Sequence, residues 1–170
     1  LFKMTLHEFN TLPEQELKAV LFNCCGSTIW VNKMLSLFPF DDLIELLNDA
    51  DEKWSECSET DWLEAFTHHP KIGDISSLKK KFAATAQWAE GEQSGATDAS
   101  DKIIEALAKG NEAYENKFGF IFIVCATGKS ATEMLDILNN RLPNDKQTEL
   151  IIAAEAQSKI TKLRLQKLLA

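Results

Sequence analysis

Residues 145–169 read DKQTELIIAAEAQSKITKLRLQKLL and contain neither glycine nor proline. Most of these residue types have high helix propensity, so the stretch predicts one long helix. Apolar side chains recur along it at Leu150, Ile151, Ala154, Ile160, Leu163 and Leu168. The stretch has the best helical composition in the chain, and similar signals recur upstream of it.

These upstream signals are acidic or proline-containing helix starts and glycine or proline stops. They predict helices from Thr11-Leu12-Pro13-Glu14 to about Cys24, over 27–38, from Asp41, from Ser58 to Pro70, over 76–93 and from about Asp98. The chain has only 7 Gly and 4 Pro, which favours long helices over a sandwich of many strands.

One run, FGFIFIVCA at 118–126, has the composition of a strand. A lone strand has no ladder partner and no second such run occurs, so a buried helix is the preferred prediction, although periodicity alone does not decide. The sequence therefore predicts an all-α fold, a single compact bundle of about eight helices, with one domain spanning residues 1–170. Leu1-Phe2-Lys3 precede Met4 and are candidates for vector-derived residues.

Charge and composition exclude several classes of partner. The 18 Lys and Arg against 26 Asp and Glu give a formal net charge of −8, so neither nucleic acid nor an anionic membrane surface is expected to bind. No apolar run approaches the roughly 18 residues of a spanning helix, and no signal-peptide pattern opens the chain. The four cysteines form no C-x-x-C pair, which indicates reduced thiols and a cytoplasmic location. The chain has three histidines, two of them adjacent, which are few ligands for a metal site.

His69 is the strongest candidate for acid–base chemistry. It stands immediately before Pro70 in FTHHPKIGD, residues 66–74, at a predicted helix end, and a histidine titrates near neutral pH. The competing interpretation is a surface histidine that interacts with the helix dipole. The neighbouring Pro70 and Gly73 weigh against it, because both residue types are scarce in this chain.

Three further segments are candidates for ligand contacts. Glu92 and Gln93 can hydrogen-bond a polar ring, although an exposed acidic helix end is the more common interpretation of their segment. The 118–126 run can present main-chain groups at its end, although its composition favours plain core. Arg164 either clamps a carboxylate or lies exposed with its stem packed along the surface.

Together, four strings resemble a known family: FTHHPKIGD at 66–74, EQ at 92–93, KFGFIFIVCA at 117–126 and ITKLRL at 160–165. In order and spacing they are similar to the 2-oxo-4-hydroxy-4-carboxy-5-ureidoimidazoline (OHCU) decarboxylases, small all-helical enzymes of uric acid degradation. The resemblance extends from about Leu12 to Leu169, practically the whole chain.

The resemblance implies a role for each matching residue. The catalytic positions fall on His69 and Glu92, while His68 occupies a position that the motif does not fix. The substrate-binding positions fall on Pro70, Gln93, Arg164 and the main chain around Ile121, Ile123, Val124, Cys125 and Ala126. One position departs from the family: a serine is common three residues before the glutamate, and here Ala89 stands there.

The resemblance also implies the reaction. An anionic ureidoimidazoline would lose carbon dioxide and give (S)-allantoin, with no cofactor and no metal, because a ring C=N beside the reacting carbon serves as electron sink. A homodimer is expected from the family. Two other interpretations remain open at this point: a hydrolase acting on a related ureido compound, and a non-catalytic helical interaction module.

Overall fold

Helices account for all the regular structure in the computed structural model, which describes residues 3–69, 75–86 and 95–169. The described residues form nine helices and no strand. The helices are α1 Leu6–Phe9, α2 Glu14–Cys24, α3 Thr28–Leu35, α4 Leu43–Ser55, α5 Glu59–Thr67, α6 Ile75–Ala86, α7 Gly95–Phe118, α8 Ala131–Arg141 and α9 Lys146–Leu168. The all-α prediction is confirmed. No described helix is both long enough and apolar enough to span a membrane.

The chain divides into two compact units. Unit 1 contains residues 1–69 and 150–170, and unit 2 contains residues 70–149. The boundary at residue 149 therefore falls inside α9. That residues 1–170 form one domain stays a prediction.

Most helix starts follow from side-chain caps that the sequence shows. Asp42 accepts a hydrogen bond from the Glu45 N–H and begins α4, and Ser58 pairs with Asp61 in a capping box at α5. Helix α8 was not predicted, although Ser130 forms the same kind of capping box at its start. The helix predicted over 76–93 is described as far as Ala86.

The prediction of a buried helix at 118–126 is wrong. Helix α7 ends at Phe118, and residues 121–126 have no regular secondary structure. Gly119 has a φ of 81°, a left-handed conformation that stops the helix, and its N–H donates to the Glu115 carbonyl at 2.8 Å. The apolar run therefore leaves the helix as an irregular segment.

Two buried tryptophans connect the helices of unit 1. The Trp30 Nε1–H donates to the Ala50 carbonyl at 3.0 Å, and the Trp54 Nε1–H donates to the Ala154 carbonyl at 2.8 Å. These bonds link α3 to α4 and α4 to α9. Near the ends of the described chain, the Met4 N–H donates to the Leu168 carbonyl at 2.9 Å.

Unit 2 is built on the packing of α7 against α8. A Cβ atom on Gly110 would lie 2.4 Å from the Leu138 Cδ2, so the two helices approach closely at this point. Leu107, Tyr114 and Phe118 of α7 are almost completely buried. The core of unit 2 lies along these side chains, next to the irregular segment that follows α7.

Candidate active site

His69 lies immediately after α5, in unit 1. Thr67 is the last residue of the helix, His68 is its C-cap, and the His69 N–H donates to the Phe66 carbonyl at 3.3 Å. The side chain of His69 is half-buried. The predicted position of this histidine at a helix end is confirmed.

The turn that carries His69 packs against the connection between α2 and α3. A Cβ atom on Gly26 would lie 2.6 Å from the His68 Cβ, so only glycine fits this close approach. The His68 ring packs edge-on against Phe22, with 4.8 Å between the ring centroids. His68 therefore fixes the turn against α2 and the connection that follows it.

A fully buried amide is hydrogen-bonded to the His69 ring. The His69 Nε2 contacts the Gln157 Oε1, and the Gln157 Nε2–H donates to the Thr161 Oγ1 at 3.1 Å. Burial lowers the pKa of His69 below its usual 6.5; Gln157 opposes this shift, and the charges of Arg164 and His68 add to it. The environment of the ring therefore favours the uncharged imidazole.

Arg164 lies two turns after Gln157 on α9 and is anchored at the end of α2. Its Nη1 donates to the carbonyls of Asn23 and Cys24, at 3.3 Å and 3.1 Å. These oxygens belong to the last turn of α2, where carbonyls lack helical partners. Within the described residues, the Arg164 Nη2 and Nε have no acceptor, so the guanidinium retains donors for an anion. Because its charge acts on His69, the structure brings these two predicted residues together.

The segment predicted to offer main-chain contacts lies in unit 2. The N–H groups of residues 121–126 have no acceptor in the part of the chain that the structure describes. Unpaired N–H groups are available donors for a ligand. Ile123 is buried. The other predicted residues of the segment are partly exposed: Ile121, Val124, Cys125 and Ala126.

A buried polar network holds this segment from behind. Arg141 donates through Nη1 to the Ile123 carbonyl at 2.7 Å and through Nε to the Glu149 Oε1 at 2.6 Å. The Tyr114 hydroxyl also donates to the Glu149 Oε1, at 2.5 Å, and the Asn144 Nδ2 donates to the Glu149 Oε2 at 3.0 Å. Burial, followed by the hydrogen bond with Glu149, raises the pKa of Tyr114. Glu149 is 0% exposed, so the network compensates a fully buried carboxylate.

Several predicted residues lie outside the described part of the chain: Pro70, Glu92 and Gln93, together with Ala89. Their roles stay predictions. Conversely, Gln157 and Arg141 were not predicted. Spacing was an available signal for Gln157, because Gln157, Thr161 and Arg164 stand at i, i+4 and i+7 on one face of α9.

The described residues contain no group of three His, Cys, Asp or Glu side chains that could hold a metal ion. All four cysteines are free, and Cys24, Cys25 and Cys57 are buried. That the reaction needs no metal and no cofactor stays a prediction.

Comparison with known proteins identifies the family. The sequence profile of the OHCU decarboxylases matches residues 10–166. The chain belongs to the OHCU decarboxylase family. A crystal structure of OHCU decarboxylase in the presence of (S)-allantoin is 35% identical, with a TM-score of 0.71 over 93% of this chain and 99% of that chain. The predicted family and fold are confirmed.

Longer proteins also contain relatives of this OHCU decarboxylase sequence. The uric acid degradation bifunctional protein TTL of Arabidopsis thaliana is 39% identical over 147 residues, which are 85% of this chain and 45% of that protein. The uric acid degradation bifunctional protein of Bacillus sp. (strain TB-90) is 27% identical over 97% of this chain and 32% of its own length. The chain thus spans less than half of the length of each of these two relatives.

Proposed function

We propose that this chain converts OHCU to (S)-allantoin and carbon dioxide without a metal or an organic cofactor. The observation that carries the proposal is the half-buried His69, whose ring contacts Gln157 on the helix that also holds Arg164 at the end of α2. His69 and Arg164 stand where the catalytic histidine and the late arginine of the family fall. Membership of the family, and the similarity to an enzyme crystallised with (S)-allantoin, support the same reaction.

The reaction needs an electron sink and a proton at one ring carbon. When the bond to the carboxylate carbon breaks, its electron pair moves into the ring, and the adjacent C=N accepts charge on nitrogen. The neighbouring ring carbon and the nitrogen each gain a proton, and the 4-hydroxyl loses one, so the net reaction takes up one proton. Because the substrate supplies the sink, the protein has to position it and move protons.

His69 is the group that moves the proton. In its uncharged form, which the lowered pKa favours, it accepts the proton of the 4-hydroxyl as carbon dioxide leaves. The imidazolium formed in this step then protonates the ring carbon on one face. Delivery to one face accounts for an S product, and the nitrogen takes its proton from solvent.

Binding is assigned to the remaining predicted residues. Arg164 offers its free N–H groups to the substrate carboxylate, and a guanidinium fork matches a carboxylate in shape and charge. Glu92 and Gln93 bind the ureido and ring nitrogens, and Pro70 forms part of the pocket wall. The main-chain N–H groups of the 121–126 segment bind the polar edge of the ring, which concerns Ile121, Ile123, Val124, Cys125 and Ala126.

The test compares His69→Ala with His7→Ala, a variant of an exposed histidine on α1. Freshly generated OHCU is supplied, and its decay is followed by ultraviolet absorbance, circular dichroism and carbon dioxide release. We expect His69→Ala to lose about 10²- to 10⁴-fold in kcat and His7→Ala to match the wild type. Near-native decarboxylation by His69→Ala would contradict the assignment. Ureido hydrolysis without carbon dioxide release would indicate a hydrolase, and no turnover would indicate an interaction module.

We also propose that the chain is a cytoplasmic homodimer. The dimer follows from the family, and the four free cysteines suit a reducing compartment. Light scattering on the purified protein tests the assembly. A mass twice the 19.1 kDa of the chain is expected, and a monomer mass would contradict the dimer.

A further inference from the structure

Gln157 is a buried polar residue whose side chain reaches the proposed catalytic histidine. It is 0% exposed on α9, and its amide contacts two side chains, His69 on one side and Thr161 on the other. An amide can present either an acceptor or two donors, so its orientation decides what it does to the imidazole.

Thr161 fixes that orientation. The Gln157 Nε2–H donates to the Thr161 Oγ1 at 3.1 Å, so the amide nitrogen faces Thr161. The amide oxygen of Gln157 is therefore the atom that contacts the His69 Nε2.

An amide oxygen only accepts hydrogen bonds, so the His69 Nε2 must carry a proton. In an uncharged imidazole the other nitrogen, Nδ1, is then unprotonated. We propose that Gln157 is a positioning residue that fixes the Nε2–H tautomer of His69 and leaves Nδ1 to exchange protons with the substrate. The part concerning substrate rests on the proposed function, whereas the tautomer does not.

The burial of Gln157 makes this arrangement rigid. If the ring turned away, the amide oxygen would stay buried without a donor, which is unfavourable. The charged groups that act on His69 are Arg164 on α9 and His68 beside it, and both disfavour a protonated ring. Among the described residues that act on His69, Gln157 is the one that favours protonation. Because Gln157 is uncharged, it orients the His69 ring without stabilising the imidazolium form as strongly as a carboxylate would.

The tautomer is measured by ¹⁵N NMR of the ligand-free protein above the pKa of His69, with the resonances assigned through His69→Asn. We expect the Nε2 shift of a protonated ring nitrogen and the Nδ1 shift of an unprotonated one. Thr161→Val removes the acceptor that orients the amide, so the two tautomers should mix. A wild-type ring protonated at Nδ1 would overturn the proposal, whatever reaction the protein catalyses.

Kinetics test the role in turnover. Gln157→Leu removes the acceptor, and we expect kcat to fall about 100-fold with little change in KM. Gln157→Glu restores an acceptor with a charge, so it should recover part of kcat and move the acidic limb of the pH profile upward. Gln166→Leu, an exposed change on the same helix, is the control.

Unchanged kcat in a folded Gln157→Leu variant would overturn the role in turnover. If the wild-type protein itself fails to release carbon dioxide, the proposed function fails, and the NMR result still decides the tautomer.

Discussion

At the scale of single residues, the pKa of His69 is lowered because burial outweighs its hydrogen bond to Gln157. A base is active when deprotonated, so kcat/KM should fall as the pH drops through a pKa below 6.5 and stay level above it. The profile is measured from pH 5 to 8, and the acidic limb should be missing in His69→Ala. A profile that instead falls between pH 6 and 8 would show that the protonated ring is the active form.

Gly26 provides a second test at this scale, because its missing side chain leaves room for His68. In Gly26→Ala the new Cβ would meet the His68 Cβ at 2.6 Å, and neither atom can rotate away. We expect the free energy of unfolding to fall by about 1–3 kcal/mol. Because the adjacent His69 is displaced too, kcat should fall as well.

The control for this change is Gly110→Ala. There the new Cβ would meet the flexible end of Leu138, and alanine also improves helix propensity. Urea unfolding and steady-state kinetics are compared for the two variants. If Gly26→Ala and the wild type have equal kcat, the position of His68 does not affect catalysis.

Individual site residues differed in how visible they were in the sequence. His69 stood out because of the adjoining proline and because histidine titrates near neutral pH, and Arg164 because it is an arginine between two leucines. Gln157 did not stand out, since its one signal was a helical spacing from Thr161 and Arg164 that many residues of a long helix share. Its importance depends on a contact with a residue 88 positions away, which only the folded chain reveals.

At the scale of elements, the segment after α7 depends on Arg141. In Arg141→Met, Glu149 loses its cation while remaining fully buried, which should cost about 3–5 kcal/mol of unfolding free energy. The double variant Arg141→Met with Glu149→Leu removes both charges and should recover most of this loss. About 1–3 kcal/mol should stay missing, because the Ile123 carbonyl no longer has its donor.

Urea denaturation of both variants measures these differences. Lys18→Met, which breaks an exposed ion pair with Glu14, serves as the control and should leave the unfolding midpoint almost unchanged. Equal stability of the Arg141 variant and the wild type would show that the network does not support the segment.

The 118–126 run is the element whose structure the sequence did not predict correctly. Caps and stops located most helices to within a few residues, because those signals act over one turn. In the 118–126 run, Gly119 was a local signal for the end of α7, but no local signal indicated the irregular shape of the residues after it. The Ile123 carbonyl accepts a hydrogen bond from Arg141, 18 residues later, and such a long-range partner is not visible in the local sequence.

At the scale of the whole molecule, the net charge of −8 opposes an anionic substrate. Salt shortens the range of this repulsion, from about 30 Å at 0.01 M to about 8 Å at 0.15 M. We expect kcat/KM to increase modestly over this range while kcat stays constant. A decrease in kcat/KM would show instead that the local attraction of Arg164 governs substrate approach.

The hydrogen bond between Met4 and Leu168 has a consequence for protein architecture. It places residues near the two ends of the described chain, Met4 and Leu168, side by side on unit 1. A neighbouring protein module joined before or after this sequence would therefore attach at the same spot. Such an attachment leaves the rest of the surface unobstructed, and it suits a sequence type that also occurs inside longer polypeptides such as the Arabidopsis relative.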